Sequence, residues 1–358
     1  MESGVARKQI TNWNEYKNEL RARMGLDNTL IGSLTEAAKA NPKRVVFTEA
    51  NTANTLQAAS TTKKEGICIP ILLGNEERIA KIAKENGIDI EGIEIINLRH
   101  DREEARRNRY AKYLSEKLAR NGYTYSEANE KMYDRNYFGA MMVEMGEADA
   151  MITGSYTRYM EAIKPAMDII GMREGISNIA ALNILNTSKG VYFMADTLMN
   201  DSPSAETLAE IATLTNQTVK LFNEHPVMAM LSYSNFGADT TGNPCIVHEA
   251  VESLHKNHPE ILVDGEMQVN FALDKKLRHE KFPFSKIDGM DVNTMIFPCL
   301  NSANIAYRML MQMGMAESVG PVQMGLKKPV HVLDVEASVR DIVNMTTIAV
   351  IDAQLNNK

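Results

Sequence analysis

The chain has 358 residues, 44% hydrophobic and 24% charged, which is ordinary for a globular protein and too long for one core, so two domains are expected. With 39 basic against 46 acidic side chains the net charge is −7, which disfavours nucleic acid as a partner, and no apolar run approaches the ~20 residues of a membrane span. Three cysteines (Cys68, Cys245 and Cys299) without a CxxC pair argue against a disulfide framework or a thiolate zinc site, and no signal-peptide pattern opens the chain. A cytoplasmic protein is expected.

The first 25 residues are polar, carry the single tryptophan, Trp13, and read as an arm outside the compact fold. From residue 43 onward, short β-branched runs alternate with stretches of helical period. Strands are predicted at 44–48, 67–72 and 93–96, with helices at 55–64 and 80–85 between them. Further strands are predicted at 150–153, 191–194, 228–232, 261–263 and 293–297. Leu208, Ile211, Ala212, Thr215, Val219 and Phe222 lie on one face of a helix that Ser202-Pro203 introduces. Residues 281–291 are the most loop-like. Such alternation implies βαβ units and a largely parallel sheet, hence an α/β class.

Several motifs then follow in order. Met230-Leu231-Ser232-Tyr233-Ser234 ends a strand, Asp264-Gly265-Glu266-Met267-Gln268 follows another, and Ile296-Phe297-Pro298-Cys299-Leu300-Asn301-Ser302-Ala303-Asn304-Ile305-Ala306-Tyr307 comes next. Gly320-Pro321, Gly325-Leu326, Lys328-Pro329-Val330 and Asp341-Ile342-Val343 complete the series. On these residues the chain resembles the phosphate acetyl/butyryltransferase family from about residue 43 to residue 354. Two features resemble the member of that family fused behind a malic enzyme: Asn235-Phe236-Gly237 stands where free-standing transferases carry Thr-Lys-Gly, and the opening Met1–Arg7 looks like the last helix of a malic-enzyme domain.

The resemblance implies two α/β/α domains with parallel-rich sheets and a cleft between them. Residues 1–25 would be the arm from a preceding domain, 26–153 with 318–358 the first domain, and 154–317 an inserted second domain. It also implies an acyl-CoA ligand, acetyl-CoA or CoA, and a homo-oligomer, a dimer or larger. A covalently fused malic-enzyme part would carry NADP and a divalent metal, with no cofactor and no metal in this domain. The ligand-binding residues implied are Ser232, Ser234, Asn235, Gly237, Asp264, Asn301, Asn304, Tyr307 and Ser338.

Acetyl transfer to phosphate needs a base near the thiol, donors for the carbonyl oxyanion and cations for the phosphate. The family supplies much of this from a Leu-Ser-Arg-Gly-x-Ser-x-x-Asp run. Here Leu333, Ser338 and Asp341 keep their types, but Asp334 replaces the Ser, Val335 the Arg and Glu336 the Gly. The exchange lowers the local charge by two units and removes a bidentate phosphate donor. A unit charge ~5 Å from a phosphate charge is worth roughly 3 kcal/mol at an effective dielectric near 20. Losing one oxyanion donor costs about 10²–10³ in rate. Slow or absent transfer is therefore expected, with acetyl-CoA binding retained as a regulatory signal; an active phosphate acetyltransferase is the alternative.

Bland readings stand beside these. Ser338-Val339-Arg340-Asp341 is also a capping box, in which Asp341 would stabilise a helix start. Asn301 could simply cap a helix rather than offer it to an anion. Asp264 and Glu266 read as a turn after a strand as readily as a carboxylate pair. Arg99, Arg102, Arg106, Arg107 and Arg109 alternate with acids, and Glu103–Arg107 has the i,i+4 spacing of a solvated helix face. His248, His255 and His258 lack metal-ligand geometry, and the 23 methionines read as adaptable filling of core and interface.

Overall fold

The computed structural model describes residues 29–154, 158–335 and 337–356. The expected arm of residues 1–25, with Trp13, and Glu336 lie outside the described residues. Two sheets organise the chain. The first contains β1 (Lys43–Phe47), β2 (Cys68–Leu73), β3 (Glu94–Ile96), β4 (Ala150–Thr153) and β11 (Val330–Val332), all parallel, in the order β11-β4-β1-β2-β3. The second contains β5 (Ala180–Thr187), β6 (Gly190–Ala195), β7 (Met228–Leu231), β8 (Val263–Met267), β9 (Thr294–Ile296) and β10 (Ala316–Met324), in the order β10-β5-β6-β9-β7-β8. There β6, β9, β7 and β8 run parallel, and β5 runs antiparallel to both its neighbours. The α/β class with two parallel-rich sheets is thus the observed one.

The strand residues alternate between two faces because side chains along a strand point to opposite sides. Val45, Phe47, Leu72 and Ile152 face the helices Ala53–Lys64 and Val339–Asn356, whereas Val46, Ile71, Leu73 and Met151 face the helices Glu104–Lys117, Arg135–Glu144 and Tyr159–Ile169. The first of these apolar clusters continues into the second sheet through Leu333 and Ile342 to Leu182, Ile184, Phe193 and Ile296. Side-chain caps start the helices that matter most to the layout: Thr52 receives Thr55 N–H, Asn75 receives Arg78 N–H, and Asp134 receives two amides.

The expected domain boundaries at 154 and 318 fall elsewhere in the structure. The helix Tyr159–Ile169 buries Ala162, Ile163 and Ala166 against Val332 and the helix Arg135–Glu144, so it belongs to the first sheet's layers. Residue 318 lies inside β10, which pairs with β5 from Ala316 to Met324. The chain passes between the sheets at 171–173 and returns at 325–327. These two crossings run side by side, joined by Arg173 N–H to Gly325 O at 2.8 Å and Lys327 N–H to Gly171 O at 3.0 Å.

The sequence pattern missed β5, whose Ala, Leu and Asn residues carry no β-branched signal beyond Ile184 and Thr187. It missed β10 because Gly320-Pro321 interrupts it; the ladder tolerates this by a register shift between Val319 and Val322. The strand predicted at 261–263 begins where that range ends, at Val263, and runs on through the Asp-Gly-Glu motif. Gly265 there has φ +148°, and a Cβ would meet the Met230 carbonyl oxygen of β7 at 2.5 Å, so only glycine fits between the paired backbones.

One side chain joins the sheets at their junction. β11 is an edge strand, and the outward N–H and C=O of Val332 are met by the amide of Gln323 on β10. Val332 N–H donates to Gln323 Oε1 at 2.7 Å, while Gln323 Nε2 donates to Val332 O at 3.3 Å and to the Tyr159 hydroxyl at 3.2 Å. Gln323 N–H also donates to Nδ1 of the buried His331 at 3.3 Å. Burial pushes the His331 imidazole down to about 4, so the ring is neutral, with its proton on Nε2. Gln323→Leu keeps the volume but orphans both backbone groups of Val332 and should destabilise the fold by about 2–4 kcal/mol in urea unfolding. A loss within about 0.5 kcal/mol, the range of ordinary surface substitutions, would contradict this role.

Candidate functional site at the corner between the two sheets

β11 runs out at Leu333, whose N–H donates to Thr153 O at 2.7 Å, and the chain turns through Asp334 and Val335 into the helix Val339–Asn356. That turn carries the family-matched positions. Ser338 N–H and Oγ donate to Asp341 Oδ2 at 2.9 and 2.7 Å, and Asp341 N–H returns to Ser338 Oγ at 3.2 Å. The capping box is therefore formed, and it holds the Asp341 carboxylate at the head of the helix beside the corner.

The second sheet faces this turn with the helix Leu300–Gln312 and with β10. Arg308 reaches Asp334, Nη2 to Oδ2, at 3.1 Å. Arg340 reaches Glu317 at 3.2 Å. Being solvent-exposed, the Arg308–Asp334 pair contributes at most about 1 kcal/mol to stability. Its consequence is local: the Asp334 carboxylate has a guanidinium on it. No spacing rule in the sequence points to Arg308, whose partner lies 26 positions away.

Behind the pair, polar groups form a chain across the second sheet. Asn304 Nδ2 donates to Thr197 O at 3.4 Å, Thr197 Oγ donates to Asn183 Oδ1 at 2.7 Å, and Asn183 Nδ2 donates to Ser318 Oγ at 3.2 Å. Tyr307 lies against Ser318, and burial holds its phenol above the ordinary tyrosine range. Ser318, Ser338, Arg340, Asp341 and Asn344 line a cavity of about 300 Å³ at this corner. The structure thus brings together Asn304, Tyr307, Asp334, Val335, Ser338 and Asp341 from the sequence reading, and adds Thr197, Arg308 and Ser318. Asn301 sits exposed in the first turn of the helix Leu300–Gln312, which Cys299 rather than Asn301 precedes.

The remaining candidates gather at the outer strands β7 and β8. Ser232 Oγ accepts Ser234 N–H at 3.2 Å, Ser234 Oγ accepts Asp239 N–H at 3.0 Å, and Asn235 Oδ1 accepts Gln268 N–H at 2.9 Å. Gly237 N–H donates to Glu266 Oε1 at 2.6 Å. Asp264 and Glu266 lie within β8 rather than in a turn after it, and both are buried. Asp264 Oδ2 takes Ser285 Oγ and Lys286 N–H, each at 2.7 Å, which fixes the loop predicted at 281–291. Its carboxylate is directed into the fold.

The basic cluster resolves differently from a uniform solvated face. Arg107 is buried, donates to Leu98 O at 2.6 Å and His100 O at 2.9 Å, and stacks on Tyr133 at 4.7 Å; Glu103 pairs with Arg106 at 3.1 Å instead. His248 engages Glu266 at 3.1 Å and His255 engages Val263 O at 2.9 Å, and no group of metal-binding side chains occurs among the described residues. No helix of the described residues is long and apolar enough to cross a membrane.

Comparison with known proteins places this geometry. Residues 29–350 match the phosphate acetyl/butaryl transferase family. The chain is 35% identical over 362 residues to the NADP-dependent malic enzyme of Escherichia coli (strain K12), an alignment covering 99% of this chain and 47% of that protein. It therefore spans about half the length of the malic enzymes it matches. It is 33% identical over 333 residues to the phosphate acetyltransferase of Thermoanaerobacterium thermosaccharolyticum, covering 91% of this chain and 100% of that one. A crystal structure of a phosphotransacetylase from Streptococcus pyogenes superposes with a TM-score of 0.84 at 32% identity, covering 92% of this chain and 99% of that one. With its two sheets, its corner and its sequence all in agreement, the chain belongs to the phosphate acetyl/butaryl transferase family.

Proposed function

We propose that this chain is the acyl-CoA-binding part of a malic-enzyme-type protein, holding acetyl-CoA at the corner while transferring its acetyl group to phosphate slowly or not at all. In the full reaction a phosphate oxygen attacks the thioester carbonyl, the C–S bond breaks and the CoA sulfur leaves to take up a proton. The observation that carries the reading is the turn at Asp334 and Val335. Where the resemblance implies a serine and an arginine, this chain has a carboxylate tied to Arg308 and an exposed apolar side chain. Around the incoming phosphate stand Asp334, Asp341 and Glu317 against Arg308 and Arg340, and both cations already hold carboxylates. Among the described residues a dianion finds no free guanidinium fork there.

Binding draws on other groups. The thioester end would lie against Asn304, Tyr307 and Ser338. The pantetheine and adenosine tail would run along the carboxyl edge of the second sheet, over Asn301, toward the turn at Ser232, Ser234, Asn235 and Gly237 beside β9. A ligand that binds without reacting can bias a conformational equilibrium by its differential affinity for the two states. In the longer protein such a signal would act on oxidative decarboxylation of malate to pyruvate, with NADP and a divalent metal held by the malic-enzyme part. An active phosphate acetyltransferase is the second reading, favoured by Arg308, which would serve as the phosphate donor if it left Asp334.

Calorimetric titration should show saturable acetyl-CoA binding, while acetyl phosphate formation stays far below the ~10 s⁻¹ of a typical enzyme. The double change Asp334→Ser with Val335→Arg, which frees Arg308 and adds a guanidinium, should raise transfer by at least about tenfold, the scale of one recovered charge-assisted contact. Turnover near 10 s⁻¹ by the unmodified chain would favour the second reading instead.

Association of the chain with itself is part of the same proposal. Ile305, Met309, Met313 and Met315 form an exposed apolar stripe along and just beyond the helix Leu300–Gln312. Methionine packs adaptably, and a stripe on one helix can meet its own copy across a two-fold axis. Sedimentation equilibrium should show a dimer or larger at micromolar concentration, reduced to monomer by Ile305→Glu with Met309→Glu; a stable monomer of the unmodified chain would contradict it.

A further inference from the structure

The carboxyl ends of β1, β2 and β3 frame a second cavity, of about 510 Å³, on the half of the first sheet remote from β11. This edge of a parallel sheet is where α/β proteins place small ligands, and the volume lies within the range of small-molecule sites. Its lining is basic in a protein whose net charge is −7. Arg78 comes from the first turn after β2, Arg99 from just after β3, and Arg135 from the start of the helix Arg135–Glu144, with the amides of Asn51 and Asn97 between them.

Of the described carboxylates nearby, only Glu49 meets a lining arginine, Arg135. Asp134, the one acid among the described lining residues, accepts Asn136 and Tyr137 N–H at 2.8 and 3.1 Å as a helix cap. Glu76 is paired with Arg102. Arg135 pairs with the buried Glu49 at 3.4 Å and lies 3.5 Å from the Asn51 amide oxygen. The side chains of Arg78 and Arg99 make no ion pair or hydrogen bond among the described residues, whereas Arg44, Arg102, Arg106 and Arg109 of the same domain are each paired with an acid. Two exposed, unpaired guanidiniums and a third paired with Glu49 line one polar cavity. Such forks match phosphate oxygens in charge and in geometry.

We propose that this cavity binds a phosphorylated small molecule, a phosphate ester or diphosphate, separate from the acyl-CoA of the corner. The same chemistry would suit the phosphates of an acyl-CoA tail, and the test distinguishes the two. Titration with inorganic pyrophosphate should give saturable one-to-one binding that weakens at least about tenfold in Arg78→Gln with Arg99→Gln, the scale of lost charge-assisted contacts. Lys112→Gln with Arg120→Gln, which removes the same charge from exposed positions outside the cavity, should leave it unchanged. In parallel, the Arg78/Arg99 double variant should bind acetyl-CoA as the unmodified chain does. The proposal is overturned by the absence of saturable pyrophosphate binding, by equal losses in both double variants, or by a comparable loss of acetyl-CoA affinity in the first. The pyrophosphate result stands whether or not the corner takes acetyl-CoA, so the two readings fail separately.

Discussion

The amide of Gln323 is the contact on which the arrangement of the two sheets depends. An edge strand leaves alternate backbone groups unpaired, and burying them without partners would cost about 1–3 kcal/mol each. Here a side chain from the neighbouring sheet supplies the missing donor and acceptor to Val332, so β10 acts toward β11 almost as a sixth strand would. Its neighbour His331 is neutral and accepts the Gln323 N–H, which removes a charge from a wholly buried junction. Because β10 carries Glu317 and Ser318 and β11 leads into Asp334, fixing these two strands fixes the corner.

The same junction separates the residues that hold the corner's frame from those that only line it. The capping box at Ser338–Asp341 would be needed for the last helix whatever the corner does, and that helix packs on both sheets' apolar cluster through Ile342, Met345 and Ile348. Ser338 and Asp341 are thus held by stability as well as by any role toward a ligand. Asp334 and Val335 are not: both are exposed, and neither supports the core. Substitution at those two positions would change the charge at the corner without disturbing the frame. Arg308 rests on the Asp334 carboxylate, since an exposed guanidinium near an acid gains a little from pairing and loses nothing from the fold.

Much of the fold could be read in the sequence where local chemistry decides it. Val45-Val46-Phe47 is β-branched and apolar and becomes β1; Ser338 and Asp341 are three apart and become a capping box. The sequence is silent where a residue's role is set from far away. Ala180–Thr187 forms a strand because β6 and β10 flank it, not through its own composition. Asp264 looks like half of a catalytic pair, yet Ser285 and Lys286, more than twenty positions on, turn it inward. Arg308 and Gln323 carry no signature at all, since their partners arrive only when the two sheets meet.

Backbone hydrogen exchange with and without saturating acetyl-CoA tests the central claim most directly, because it reads the corner itself rather than a reaction product. If the ligand sits between the sheets, amides in 300–307 on one side and 334–341 on the other should both exchange more slowly in its presence, while 73–78 at the second cavity stays unchanged. Acetyl-CoA bound at saturation with exchange in 334–341 unaltered would contradict the account.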